Sequence, residues 1–400
     1  MKKQNGKRLL PAKLGATACI LLAYILGRRM TLFGIDIGHY TQQAGSIEDY
    51  FGMAIGGDIH KISIFALGIS PYMIASILVM VVNTVRRSMV NSRISTKRSN
   101  QVLVLLTLLF AIYQSATMVP FLHFDVEPQW LGFSQAMAAL QMVTGAMLVV
   151  WLCDQNKEHG VGGQSVLILV NMVESVSLMV SRHTMDELYF PLGFSLVAML
   201  VTIRMENGEF RIPVQRISIH NIYKDKNYLA IKLNPIGVIP VMFATAVFGL
   251  FQMLMVTAKY LLRDVVDLSE FTDHLTLSHP VGIVVYVVII YLLTILLSFI
   301  LLGPADMSEQ LMKSNDSICN VQAGRDTTKY LSRVVVTLGF VSATVMSVCV
   351  GIPLVLQFVV NLDTTLLLLP AIVMMLTSVC INVARDLETA VSFDSYRVFL

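Results

Sequence analysis

Charge is scarce in this chain. Asp, Glu, Lys and Arg make up 14% of its 400 residues, against roughly 25% in an ordinary soluble domain. Twenty-nine basic and 26 acidic side chains are too few to cover a globular surface of this size. Their near-balance, a net charge of +3, gives no basic field for nucleic acid. Cysteine is also sparse. The five present include no CxxC pair, which excludes a disulfide scaffold and leaves a zinc or redox centre unsupported. Cys19, Cys349 and Cys380 lie in apolar runs and Cys153 and Cys319 beside basic segments, as small packing residues do. HExxH, Walker and GxSxG motifs are missing, and the eight histidines fall between apolar runs or at their ends. Nothing here points to a nucleophile, a metal or a cofactor, so the chain is not expected to be an enzyme.

What is abundant is apolar surface. The AVILMFWYC set reaches 55% and mean hydropathy is +0.70, a composition that suits a polytopic membrane protein solvated by lipid. Ten apolar stretches of about 20 residues, the length a ~30 Å hydrocarbon core demands, are expected near 14–33, 62–84, 101–121, 133–153, 163–181, 188–204, 235–257, 281–302, 331–352 and 361–384. The first follows Lys2, Lys3, Lys7, Arg8 and Lys13. It ends in Gly27-Arg28-Arg29 and not in a small-residue cleavage site, so a retained helix is expected. Alternate connecting segments hold Lys and Arg in a ratio of 23 to 6. The basic side is the cytoplasmic one, which puts both termini in the cytoplasm. Arg28 and Arg29 run against that trend and are expected to snorkel to the outer headgroups.

Two cytoplasmic segments, 205–234 and 303–330, exceed the usual connection length and are candidate docking loops for a soluble partner. A hydrated loop that only sets topology is the plainer reading. On the outer side, 34–61 holds an apolar piece too short to span, Tyr50-Phe51-Gly52-Met53-Ala54-Ile55, with Ser46 and Asp49 placed to cap a short helix. Non-helical backbone survives at membrane depth only inside protein or beside water, so a re-entrant segment is expected. Glu174 is the single carboxylate well inside an apolar run, with Asn171 and Ser175 beside it. An outer vestibule, contact with a passing substrate and proton coupling all remain open for it. So few intramembrane charges favour a passive conduit powered from outside the membrane over an ion-coupled carrier.

Residues 62–77 read Ile-Ser-Ile-Phe-Ala-Leu-Gly-Ile-Ser-Pro-Tyr-Met-Ile-Ala-Ser-Ile. This resembles the second-helix signature of the SecY protein-translocation channel family. Further matches follow in order: Gln114-Ser115, Thr144-Gly145, Glu158-His159-Gly160-Val161-Gly162, Arg211-Ile212-Pro213-Val214-Gln215, Gly237-Val238-Ile239-Pro240 and Thr328-Lys329-Tyr330-Leu331. Collinear, they cover nearly the whole chain. The departures are a short chain, a blurred tenth helix, trimming after Tyr330, and Gln322 where the housekeeping family carries an arginine, with Arg325 three residues on. With 23 methionines, the pattern is most like the accessory SecY of Gram-positive bacteria.

The resemblance implies an all-α polytopic membrane protein with ten transmembrane helices in two inverted five-helix halves, 1–181 and 182–400. Its function would be export of preproteins across the bacterial plasma membrane, in an accessory Sec system for serine-rich glycosylated surface adhesins. The rivals are a housekeeping SecY channel and a secondary small-solute transporter with inverted repeats. The partners implied are a SecA-type ATPase, the accessory SecA in this subtype, small SecE- and SecG-like membrane subunits, the preprotein and membrane lipid. The pore constriction would be Ile69, Met73, Leu169, Met242 and Met375. Ser76, Gln114 and Thr245 would line a lateral opening to lipid. The plug would be 46–60, with Tyr50, Phe51, Met53 and Ile55. Motor docking would fall to Arg211, Arg216, Lys224, Lys226, Arg325 and Lys329.

Overall fold

The computed structural model describes residues 9–35, 63–90, 95–122, 124–216, 228–261, 274–358 and 366–396. Six helices come first: α1 (Leu9–Arg29), α2 (Ser70–Val90), α3 (Thr96–Met118), α4 (Leu131–His159), α5 (Gly163–Arg182) and α6 (Met185–Asn207). Strands β1 (Glu209–Arg216) and β2 (Tyr228–Lys232) follow, then α7 (Ile239–Leu261) and α8 (Pro280–Leu302). The short α9 (Pro304–Lys313), β3 (Asp316–Ile318), α10 (Arg325–Leu356) and α11 (Leu369–Tyr396) complete the order. Among the described residues, nine helices are long and apolar enough to cross a membrane; α2 contributes the shorter apolar stretch Ser70–Thr84. Side chains that a soluble fold would bury face outward, Leu22, Leu140, Val284 and Leu292 each being about three-fifths exposed (60–61%).

Local chemistry sets the helix ends. Asp186 and Glu187 occupy the first turn of α6 and Arg204 its last, each opposite in sign to the adjacent pole of the helix dipole. Pro280 opens α8 and Gly303, at φ 50°, closes it. The same glycine precedes Pro304, so one left-handed residue separates two helices. The first helix stops at Arg29, four residues short of the expected bound, because the chain beyond it is paired elsewhere. Thr31 bridges Ser63, and Ile35 bridges Phe124. The second helix starts at Ser70 and not near 62; residues 63–69 are turns held by Ile64 N–H to Met30 O (3.0 Å), Ala66 N–H to Ser63 O (3.0 Å) and Gly68 N–H to Phe65 O (2.9 Å).

Among the described residues, the segments expected as docking loops hold regular structure. They share a three-stranded antiparallel sheet in the order β2-β1-β3. Ile212 faces Leu229 across one ladder, and Gln215 faces Ser317 across the other. Ile212, Ile231 and Ile318 turn onto Leu331 and Leu338 of α10 to make a small apolar core. Alternation in β1 puts Ile212 on that core while Arg211 stands exposed. The helices also reach further into these segments than hydropathy indicated, α6 to Asn207 and α10 back to Arg325.

The main core joins helices from both ends of the chain, including α2, α4, α5, α7, α8, α10 and α11. Two glycines let the 63–69 turns enter it. A Cβ on Gly27 would sit 2.1 Å from the Phe65 ring, and one on Gly145 would sit 1.9 Å from the Ile64 carbonyl oxygen. The second clash is with backbone and has no side-chain escape. Gly145→Val should therefore cost about 3 kcal/mol or more, the upper range for overpacking, read as a fall in the detergent melting temperature. Gly132→Ala, where a Cβ meets nothing within 4 Å, should leave that temperature unchanged.

Candidate functional site

Met73 lies in the first turn of α2, immediately after Tyr72, and its N–H bonds to the Ile69 carbonyl at 3.0 Å. Ile69, Met73, Met242 and Met375 are at most 4% exposed, and all four belong to the main apolar core. Leu169 of α5 is half-buried and packs against the same core. Residues from α2, α5, α7 and α11 thus meet in one apolar cluster, which also holds Met172, Met179, Met346 and Met374. Methionine's unbranched thioether fills irregular space and yields to neighbours.

The helices α2 and α3 pack on α7, and α2 also touches α8. Of the expected seam residues, Ser76 Oγ donates to Met73 O (2.8 Å) and Thr245 Oγ1 to Met242 O (2.7 Å), each within its own helix. Gln114 Nε2 donates to Ser70 Oγ at 3.3 Å, joining α3 to α2, while its Oε1 is buried with no partner. The polar contact that crosses from α3 to α7 is a different one. Tyr113 Oη and Thr257 Oγ1 lie 3.0 Å apart. Tyr113 adjoins the singled-out Gln114, but an interhelical pair 144 residues apart leaves no local signal.

On the sheet, Arg211 is exposed but engaged. Its guanidinium reaches Glu209 at 3.3 Å and lies 4.6 Å from the Tyr228 ring centroid. Arg325 and Lys329 are exposed in the first turns of α10, as is Gln322 just before it. Lys224, Lys226 and the Arg216 side chain lie outside the described residues, as do Tyr50, Phe51, Met53 and Ile55. A fourth cation, Lys232, ends β2. Burial, with repulsion from Arg385 adding to it, holds its ammonium below the usual lysine range. Beneath the sheet, Ser378 of α11 donates to the buried Glu206 carboxylate and accepts from Val238 N–H (3.3 Å) at the start of α7. Arg385 donates to Glu206 O (3.0 Å) and Asn207 Oδ1 (3.1 Å). Neither Glu206 nor Ser378 stood out in the sequence.

Arg28 does not snorkel to headgroups. Its guanidinium turns inward, 2.6 Å from Glu174 Oε2 and 2.7 Å from Asn171 Oδ1, and its side chain is 9% exposed. Tyr24 Oη donates to the same Asn171 oxygen at 2.9 Å, and the Tyr24 ring stacks on Phe65. The polar stripe on α5 therefore ties α1 to α5 beside the 63–69 turns. At the opposite end of the bundle from the sheet, His274 Nδ1 and His279 Nε2 are 2.9 Å apart. No group of three or more His, Cys, Asp or Glu suited to a metal occurs among the described residues.

The bundle has an apolar outer surface, a methionine-rich core and a small sheet at one end, as a polytopic membrane protein does. Comparison with known proteins identifies which kind. The SecY family model matches residues 63–389, and the chain belongs to that family. The accessory Sec system protein translocase subunit SecY2 of Leuconostoc gelidum subsp. gasicomitatum is 28% identical, over 98% of this chain and 97% of the relative. The protein of the same name from Streptococcus agalactiae serotype Ia is 26% identical, over 96% and 94%. Among solved structures, a protein-conducting channel superposes with a TM-score of 0.69 at 15% identity, covering 98% of this chain and 95% of the other. Sec61 of the canine ribosome-channel complex gives 0.63 at 13%, covering 98% and 95%.

Breaking the Arg28–Glu174 pair from one side strands a charge. Arg28→Gln and Glu174→Gln should each destabilise the protein, the glutamate change more because it strands the deeper Arg28 charge. The double variant should lose less than the sum, with a coupling of about 0.5–3 kcal/mol from a thermal double-mutant cycle. Strict additivity would mean that the pair does not hold α1 to α5.

Proposed function

We propose that this chain is the central, protein-conducting subunit of an accessory Sec system, exporting preproteins across the bacterial plasma membrane. Family membership and the full-length relatives named SecY2 support that reading. The observation that carries the mechanism is the convergence of Ile69, Met73, Met242 and Met375, with Leu169, on one buried apolar cluster. A narrow apolar collar expels water and so blocks ions. Methionine lets the collar deform around side chains of many sizes and close again. The two halves, 1–181 and 182–400, part at the collar. Segment 46–60 is the plug on the outer side. The basic, sheet-bearing end faces the cytoplasm, and with it both termini.

A SecA-type ATPase, the accessory SecA of the system, supplies the force by docking on the sheet face and the exposed start of α10, with Arg325 and Lys329 as its free cations and Arg211 held in place by Glu209 and Tyr228. Exposed charges of this kind set encounter rate and partner choice more than affinity. Small SecE- and SecG-like subunits complete the channel. The substrate class is the serine-rich glycosylated surface adhesin. Signal sequences leave between α2/α3 and α7/α8, past the Tyr113–Thr257 contact.

Two experiments test this reading. Met73→Asn combined with Met242→Asn hydrates the collar. The resting channel should then pass ions in a planar bilayer about tenfold faster or more, since each ~1.4 kcal/mol off a barrier is a factor of ten. A variant as tight as wild type would remove the collar from these residues. At the seam, cysteines at Tyr113 and Thr257 joined by a short thiol crosslinker should arrest export, and reduction should restore it. Undiminished export by the crosslinked protein would place the lateral opening elsewhere.

A further inference from the structure

The glycine-rich turn between α4 and α5 and the cation beside it have no role in the account above. Lys157 stands in the last turn of α4. Its Nζ donates to Tyr72 Oη at 3.2 Å and lies 5.3 Å from the Tyr72 ring centroid. Tyr72 is the residue before Met73 of the collar. The same ammonium is 3.4 Å from Asp154 Oδ1, one turn back on α4, and both side chains keep about half their exposure, 42% and 55%. The turn clears the path of the lysine stem. A Cβ on Gly163 would meet Lys157 Cγ at 2.9 Å, and Gly162 and Gly163 both take positive φ, 74° and 51°. Gly162 also approaches Val383 of α11, two residues before the Arg385 that binds Asn207. The cluster therefore sits at the sheet end of the bundle, where the conduit is entered.

We propose that Lys157 and Asp154 form a charge-balanced rim on the entry side of the collar, so that polypeptide segments of either sign pass it equally well. The proposal rests on the channel reading. A lone charge at the mouth of a narrow apolar constriction is felt strongly, because low-dielectric walls focus its field. A paired lysine and aspartate cancel at range. Each stays exchangeable, since a half-exposed ion pair is weakly held. An acidic side chain in transit takes Lys157 from Asp154, and a basic one takes Asp154 from Lys157. Tyr72 keeps the ammonium beside the collar through both exchanges.

The test is export of secretory reporters carrying a short run of lysines, aspartates or serines, in vesicles holding the full chain with its motor and small subunits. The membrane potential is dissipated so that it does not itself sort charge. The lysine-to-aspartate rate ratio should lie near one for wild type and for Lys157→Arg. Lys157→Gln leaves Asp154 alone and should raise the ratio about fivefold; Asp154→Asn leaves Lys157 alone and should lower it about fivefold. The double variant should return to wild type. One ratio common to all variants, or single variants shifting it the same way, would overturn the rim. Asp154 is exposed, so Asp154→Asn decides alone if the lysine variants fail to accumulate. The channel reading fails separately, if wild type does not export the serine reporter.

Discussion

A peptide backbone at membrane depth has no water to bond, so its polar groups must be satisfied inside the protein. The rest of this structure depends on how residues 63–69 meet that constraint. They are not helical, yet Ser63, Phe65, Ala66, Leu67 and Ile69 are all at most 7% exposed. Four of their backbone bonds run to Met30, to one another and into the first turn of α2. The price is space, met by Gly27 beneath Phe65 and Gly145 beneath the Ile64 carbonyl. Because these turns are anchored between α1 and α4, α2 begins part-way along the bundle, with Ile69 and Met73 at its tip.

Polar ties lie at both ends of the bundle. Arg28, Asn171 and Tyr24 fasten α1 to α5 beside the buried turns. At the sheet end, Asn234 donates to Gly237 O (3.0 Å) and accepts from Ser342 of α10 (2.9 Å). Ser378 links the start of α7 to Glu206. Gly237 has φ 69°, and a Cβ there would press on both Glu206 and Ser378 at 3.0 Å. The hairpin base is thereby tied to α7, α10 and α11 together. A load applied to β1 reaches α7, the helix that faces α2 and α3, through bonded groups. Further along α7, towards its other end, the side-chain hydrogen bond to α3 among the described residues is Tyr113–Thr257.

Hydropathy made the long helices legible, because lipid demands long apolar runs whatever they pack against. The motif around Gly237-Val238-Ile239-Pro240 marked the start of α7, whereas hydropathy put the start of α2 eight residues before Ser70. Hydropathy failed where partners lay far along the chain. Residues 63–69 are apolar, and their backbone bonds, to Met30 and to one another, show that they are not part of a span. Arg28 reads as a misplaced surface charge until Glu174, 146 residues away, is brought beside it. Strand β3 is three residues long and exists because β1 offers an edge; no periodicity of its own announces it.

The weakness proposed for a seam between α2/α3 and α7/α8 follows from its solvent. Apolar side chains that part in water lose their hydrophobic gain, but lipid tails are as apolar as leucine, and parting into lipid forfeits only packing. The apolar packing of α2 on α7 thus holds the two helices together less firmly than it would in a soluble core. The interhelical hydrogen bond adds on the order of 0.6 kcal/mol, about one thermal unit, by the average found for membrane helices. A buried ion pair across the seam would have raised the cost of opening by several times that. The Arg28–Glu174 ion pair joins α1 to α5 and does not cross from α2 or α3 to α7. In the proposed channel, the strong Arg28–Glu174 contact would hold α1 to α5 while the weakly bonded contact of α3 with α7 would part first.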